Sequence, residues 1–323
     1  PGKTGRGEAE MEQPDAAAGK RKRRALALAF LLAAFLSGAV FSLLPGGFSG
    51  TWHRLFSLFG LSDFSQNADG APMALHVLPV GKADAILAEC DGKYLLVDGG
   101  TPDRGEQVCR YLARRGVRKI DFVVNTHPDS DHIGGLKAVL EEFPAGRFFT
   151  PELPPDITPS DFAYTDVVDT LREKKIPAEH LSAGEELSLG KTAVHVLAPV
   201  RAHKSVNDNS IVLRLVYGGT SFLLMGDAEA EEENDLLESG AELRSDVLKV
   251  GHHGSKTSST QAFLDAVRPR FAAVSVEADG NGLPDEEVLG RLSCAGAAVS
   301  RTDVSGTLLY LSDGKQIIPK TER

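Results

Sequence analysis

The sequence predicts an α/β fold: a sheet-and-helix sandwich of about 250 residues, preceded by one N-terminal transmembrane helix. Three observations predict it. From Met73 onward, short apolar runs of strand length alternate with segments of helical periodicity. Several of those runs end in Gly, Asp or His, and residues 25–44 form an uninterrupted uncharged stretch.

The elements follow in order. Ala25 to Leu44 is twenty residues of mainly Ala, Leu and Phe, long enough to cross a hydrocarbon core of roughly 30 Å as a helix. Lys20-Arg21-Lys22-Arg23-Arg24 precedes it, and a basic flank stays in the cytoplasm. The expected topology is a cytoplasmic, disordered basic tail over 1–24, an anchor over 25–44 and an externally facing remainder. A cleaved signal peptide is the competing reading, since Ser37-Gly38-Ala39 offers small residues midway. Residues 45–72 read as a linker, with Trp52 suited to a membrane interface.

In the remaining segment, 73–323, Leu75–Val80, Ala85–Cys90 and Tyr94–Asp98 read as strands, with Asp91-Gly92 as a hairpin turn. A helix over 104–115, a strand over 121–126 and a helix over 136–142 follow. Later strands are expected over 195–197, 211–217, 221–225, 247–250, 272–276 and 307–311. Helices are expected over 228–238, 260–267 and 285–295. Pro151 to Pro159 reads as a proline-rich loop near the entrance to the site. The run Glu229, Glu231, Glu232 and Glu233 reads as a solvated helix face.

Composition excludes some functions. The chain carries a net charge of −10, and residues 1–24 hold seven basic and four acidic side chains, which leaves −13 on the rest. Such a domain gains little from counterion release, so stable binding of long nucleic acid is not expected. Cys90, Cys109 and Cys294 are too few and too widely spaced for a cysteine zinc motif and read as small buried hydrophobes.

The chemistry concentrates at one loop. Thr126-His127-Pro128-Asp129-Ser130-Asp131-His132-Ile133-Gly134-Gly135 follows the apolar run Phe122-Val123-Val124 and sets two imidazoles and two carboxylates within six residues. Crowded so closely, they call for a cation, and the spacing suits two ions. A polar turn capping a strand and a helix is the bland alternative. Two further apolar strands deliver polar residues in the same way, Gly226-Asp227 and Gly251-His252-His253-Gly254-Ser255. Either would be an ordinary turn in isolation; together with the first loop they form a series. His76 and His195 read as strand histidines, while His180 and His203 fall in polar loops, and none of the four is expected to be a metal ligand.

The order Asp98-Gly99-Gly100, His127-x-Asp129-x-Asp131-His132, Gly226-Asp227 and His252-His253-Gly254-Ser255 resembles the metallo-β-lactamase family. It is most similar to the branch found as the C-terminal domain of ComEC-type competence proteins, and more distantly to bacterial choline-phosphate esterases. Ser205 to Leu213 and Arg301 to Thr307 also resemble that branch, and the likeness runs from about Met73 to Leu311. It implies an αββα sandwich, two mixed β-sheets flanked by helices, and a dinuclear hydrolase site with two divalent ions, Zn²⁺ or Mn²⁺.

The resemblance implies His127 and Asp129 on one ion, Asp131, His132 and His253 on the other, and Asp227 bridging. His252 would be a general acid or substrate ligand, although either of the two adjacent histidines could ligate. Asp98 would orient the metal loop. Asn209 and Ser210 lie where other branches place a histidine, so Asn209 would cap the first ion, and Ser255 and Lys256 are candidate phosphate contacts. Catalysis would fall to His252, Asp131 and Asp227.

Two departures stand out. Leu283 replaces a histidine in a Gly-His-Pro segment, and Val80-Gly81-Lys82-Ala83-Asp84-Ala85 replaces Gly-Gln-Gly-Asp-Ser, keeping Asp84. The expected function is membrane-anchored hydrolysis of a phosphodiester. The alternatives are hydrolysis of a lactam, lactone or thioester, and a degenerate domain that binds without turnover.

Overall fold

The computed structural model describes Gly2 and residues 70–322, apart from 279 and 281. The expected membrane segment over 25–44 lies outside the described residues, as do the basic tail beyond Gly2 and the linker up to residue 69. Among the described residues no helix is long and apolar enough to cross a membrane.

Among the described residues fifteen strands form two mixed sheets. The first contains β1 (Met73–Val77), β2 (Ile86–Cys90), β3 (Lys93–Val97), β4 (Ile120–Val124), β5 (Ala145–Thr150), β6 (Ala178–His180), β14 (Leu308–Ser312) and β15 (Ile317–Thr321), in the order β15-β14-β1-β2-β3-β4-β5-β6. The second runs β13 (Ala298–Arg301), β12 (Phe271–Val274), β11 (Val247–Lys249), β10 (Thr220–Leu224), β9 (Val212–Tyr217), β8 (Thr192–Ala198), β7 (Glu186–Leu189). In each sheet an antiparallel block adjoins a parallel one, β3-β4-β5-β6 in the first and β10-β11-β12-β13 in the second.

Alternate residues of each strand point to opposite faces, and both faces are apolar here. Leu75, Val97, Val124 and Phe149 of the first sheet meet Val196, Leu213, Phe222 and Leu224 of the second in a core between the sheets. Outside the first sheet, Leu87, Leu96 and Val123 pack under α1 (Gly105–Arg114), α3 (Leu136–Glu142) and α4 (Phe162–Lys174), with the short α2 (Ser130–Ile133) between α1 and α3 in the chain. Outside the second, Leu223, Leu248 and Ala272 pack under α5 (Ala230–Ser239), α6 (Gln261–Val267) and α7 (Glu286–Cys294). A one-turn helix, α8 (Thr302–Ser305), precedes β14. The layers are helix, sheet, sheet, helix.

The segments that the sequence does not predict have weak patterns for physical reasons. In α4 only Val167, Thr170 and Leu171 are buried, and Phe162 at its start is 88% exposed. Strand β15, last in the order of its sheet among the described residues, buries Ile317 alone and carries Pro319. Two expectations are corrected. Glu232 and Glu233 are fully buried rather than solvated, and Cys294 is exposed.

Candidate metal centre

Parallel strands present their C-terminal ends on one side, and open α/β sheets place polar groups in the crevice there. Asp98 follows β3, Thr126 and His127 follow β4, Asp227 follows β10, and a 3-10 turn over Gly251–Gly254 follows β11. The Asp129–His132 segment enters α2, whose close approach to the β3 end depends on small residues. A Cβ at Gly135 would collide with the Gly99 carbonyl oxygen.

These ends converge. His132 Nε2 lies 3.2 Å from Asp227 Oδ1, and His253 Nε2 lies 3.5 Å from Asp227 Oδ2 and 3.6 Å from Asp131 Oδ2. The rings of His127 and His132 are 4.1 Å apart, and His127 Nε2 is 3.7 Å from Asp129 Oδ2. Two overlapping triads result, His127–His132–Asp227 and Asp131–His132–His253, drawn from both sheets.

The hydrogen bonds behind the rings decide which nitrogens face inward. His132 Nδ1 lies 2.8 Å from Asp98 Oδ2, and His253 Nδ1 lies 3.0 Å from the Ser275 carbonyl oxygen. A carbonyl can only accept, so His253 carries its proton on Nδ1 and turns the Nε2 lone pair into the cluster. Thr126 donates its backbone N–H and its hydroxyl to Asp98, which pins that carboxylate. His127 Nε2, His132 Nε2, His253 Nε2 and Asp227 Oδ1 are all buried and without a hydrogen-bond partner. Four such atoms converging on one point fit a cation, because buried polar groups are otherwise paired.

Electrostatics agree. Burial pushes His127 down to about 3, so this imidazole is neutral and able to ligate. Burial would also lower His132, but Asp227 and Asp98 on either side reverse that and hold it well above the ordinary imidazole range. Burial would raise Asp131 and Asp227; the neighbouring histidines outweigh it and keep both carboxyls below the usual carboxylate range. Asp129 is raised, first by burial and then by Asp131. Three carboxylates crowd one point.

Backbone geometry marks the same place. Asp98, His252 and His253 all have positive φ, at 60°, 46° and 52°. Such conformations cost on the order of 1–3 kcal/mol each in non-glycine residues and concentrate at functional sites.

The remaining candidates fall around this centre. His252 turns outward: its Nδ1 bonds Glu229 Oε1 at 2.9 Å, and its Nε2 is 3.8 Å from Asp227. Asn209 does not reach the cluster, because its amide is held by the backbone of His203 and Ser205. Its neighbour Ser210 takes that position, accepting the Asp227 N–H at 3.2 Å and lying 3.4 Å from His127 Nδ1. Ser255 bonds Thr257, and Lys256 is exposed on the same turn. Leu283 precedes Pro284, which stands against Gly254, and Leu283 itself packs against the apolar core outside the second sheet.

Sequence reasoning missed a supporting layer. Lys249, fully buried, pairs with Asp84 at 2.8 Å, and Asp84 accepts the Ser275 hydroxyl at 2.6 Å while lying 3.6 Å from His253 Nδ1. A lysine inside the apolar run Val247 to Val250 was the available signal. Lys82 reaches Asp131 at 3.3 Å from the segment that departs from the family pattern.

Residues 78–277 match the description Metallo-beta-lactamase superfamily. The chain belongs to this superfamily. Relatives inside it are competence proteins, as the sequence motifs imply. ComE operon protein 3 of Bacillus subtilis is 31% identical over 254 residues, covering 72% of this chain and 32% of that protein. Competence protein ComA of Neisseria gonorrhoeae is 32% identical over 289 residues, covering 87% and 38%. The chain thus spans about a third of the length of these relatives. A variant of the β-hydroxylase CmlA shares the fold alone, at 14% identity and a TM-score of 0.50, covering 80% of this chain and 59% of that one. The metallo-beta-lactamase fold accounts for the sandwich, and its metal-binding character for the buried His and Asp clusters.

Proposed function

We propose that this chain is a hydrolase of phosphodiesters that uses two divalent cations, Zn²⁺ or Mn²⁺. The carrying observation is the convergence of four buried, unpartnered ligand atoms from both sheets. In this reading His127 and Asp129 would hold one ion and Asp131, His132 and His253 the other, with Asp227 a ligand shared by the two. Two such ions supply Lewis acidity, an activated water at neutral pH and charge stabilisation of a leaving oxygen.

The protein's own groups do the positioning. Asp98 holds the His132 ring through Nδ1, and the Ser275 carbonyl does the same for His253, so both Nε2 atoms stay aimed inward. His252 is 22% exposed at the rim and is backed by Glu229, which suits it to deliver a proton to a departing alkoxide. Asp131 keeps its charge and is available to orient the attacking water. Ser255 and Lys256 stand on the exposed turn where a phosphate oxygen could be met.

The relatives are named for competence, which makes a nucleic-acid phosphodiester the first substrate class to assay. A charge of −13 outside residues 1–24 favours cutting short or single strands over gripping long duplex. The location in this reading is the outer face of a membrane, anchored by residues 25–44 with the N-terminus inside; it rests on the apolar stretch and its basic flank.

The test is metal content and hydrolysis of bis(p-nitrophenyl) phosphate, wild type against Asp227→Ala. Two metals per chain, with turnover lost in the variant, support the reading. Two metals without turnover on phosphodiesters, lactams, lactones or thioesters would support the non-catalytic binder, the reading that Leu283 in place of a histidine motivates.

A further inference from the structure

A second cluster of ligand-type side chains lies away from the centre described above, between the loop 199–209 and α5. His203 Nε2 is 2.9 Å from Asp235 Oδ2 and 3.5 Å from Glu232 Oε2, and the three atoms lie close enough to share one ion. All three side chains are buried, at 7%, 2% and 0% exposure. The loop itself is held in place from below: Asn209 ties the backbone of His203 and Ser205, and Asp208 accepts the N–H groups of Glu229 and Glu232.

An independent observation points to a ligand. Glu232 Oε1 accepts the Val200 N–H, but Glu232 Oε2 is fully buried, has no hydrogen-bond partner and faces His203 and Asp235. An isolated carboxylate oxygen in that position is costly unless it is neutralised. The charge count is unbalanced as well. Asp235, Glu232 and Asp208 are buried here and Glu231 lies 3.4 Å from His203 Nδ1, while of the two cations of the loop Arg201 pairs with Asp235 and Lys204 is exposed.

We propose that His203, Glu232 and Asp235 form a third metal site, structural rather than catalytic, that takes a Zn²⁺-class divalent cation. One imidazole nitrogen and two carboxylate oxygens match the donor set of such ions, and two negative ligands neutralise the charge. The ion would staple the 199–209 loop to α5. That loop leads directly into Ser210, which touches His127 and Asp227, so the staple would hold one wall of the catalytic cluster without contacting substrate.

A proton on Glu232 is the competing way to satisfy the same oxygen. Burial pushes its carboxyl up to about 8, so the test has to separate proton from metal. The full chain, stripped with chelator and dialysed against Zn²⁺, is assayed for zinc by elemental analysis as wild type, His203→Gln and Glu232→Gln. The glutamine at 232 imitates a protonated glutamate in shape and keeps the Val200 contact. The site predicts one zinc fewer per chain in each folded variant, whatever the total. An unchanged count, with Glu232→Gln as stable as wild type, would assign the oxygen to a proton and overturn the proposal. Because the readout is a difference between variants, it stands apart from whether the catalytic cluster fills.

Discussion

At the scale of single residues, the two adjacent histidines separate most sharply. His253 is fully buried, with Nε2 directed at Asp131 and Asp227, whereas His252 is partly exposed and leans on Glu229. A ligand and a proton donor fail differently. His253→Ala is expected to lower metal content and to remove turnover. His252→Ala is expected to retain both metals and lose about 10² to 10⁴ in rate on substrates with poor leaving groups. The loss shrinks when the leaving group is p-nitrophenolate, which needs little protonation. Equal metal loss in both variants would remove the distinction. Much of this was legible in the sequence, because His127, Asp129, Asp131 and His132 share one short loop and Asp227 and His253 each end an apolar strand. The outward turn of His252 was not, since both residues sit in one left-handed turn whose direction only the packed structure settles. The resemblance places Asn209 and Ser210 together at a histidine position, but the capping role it suggested for Asn209 falls to Ser210, because the Asn209 amide is held by the backbone of His203 and Ser205.

At the scale of elements, the buried pair Lys249–Asp84 joins β11 to the connection between β1 and β2, and so one sheet to the other. Asp84 also donates its backbone N–H to the Asp131 carbonyl and accepts from the Gly100 N–H, which places it under the metal loop. Burial would raise its carboxyl, yet Lys249 and His253 hold it below the usual range, so it stays charged and dependent on its partner. Removing one member of a buried pair typically costs about 3–5 kcal/mol, because the other is left unpaired. Lys249→Met should therefore lower unfolding free energy by about that amount in urea titrations. Asp84→Asn combined with Lys249→Met should recover part of the loss, and a double variant as unstable as the sum of the singles would show that the pair does not couple. The strands and helices with broad apolar faces were readable in advance. Those at edges or with few buried residues, β5, β6, β7, β13, β15 and α4, were not, because they bury too little to leave a periodic signature.

At the scale of the whole molecule, the candidate centre is assembled from both halves of the sandwich. His127, Asp131 and His132 come from the first sheet and its loops, and Asp227 and His253 from the second. An ion bound by both is therefore a crosslink between sheets, and its binding free energy adds to folding because the unfolded chain lacks the preformed site. At free metal about 1,000 times the dissociation constant, one site contributes about 4 kcal/mol. For a domain of this size each kcal/mol moves the melting temperature by roughly 2–4 °C, so one filled site should raise it by about 8–16 °C. The measurement is a calorimetric scan of chelator-treated protein against protein titrated with Mn²⁺ or Zn²⁺, repeated on Asp227→Ala. That variant removes the carboxylate which His132 and His253 share, so its melting temperature should respond far less to metal. A wild-type melting temperature indifferent to both ions would mean that the four inward-facing atoms are satisfied some other way. In that case the two sheets are held together without an ion, by the apolar core and by polar links such as the Lys249–Asp84 pair and the Thr220–Ser312 hydroxyl contact.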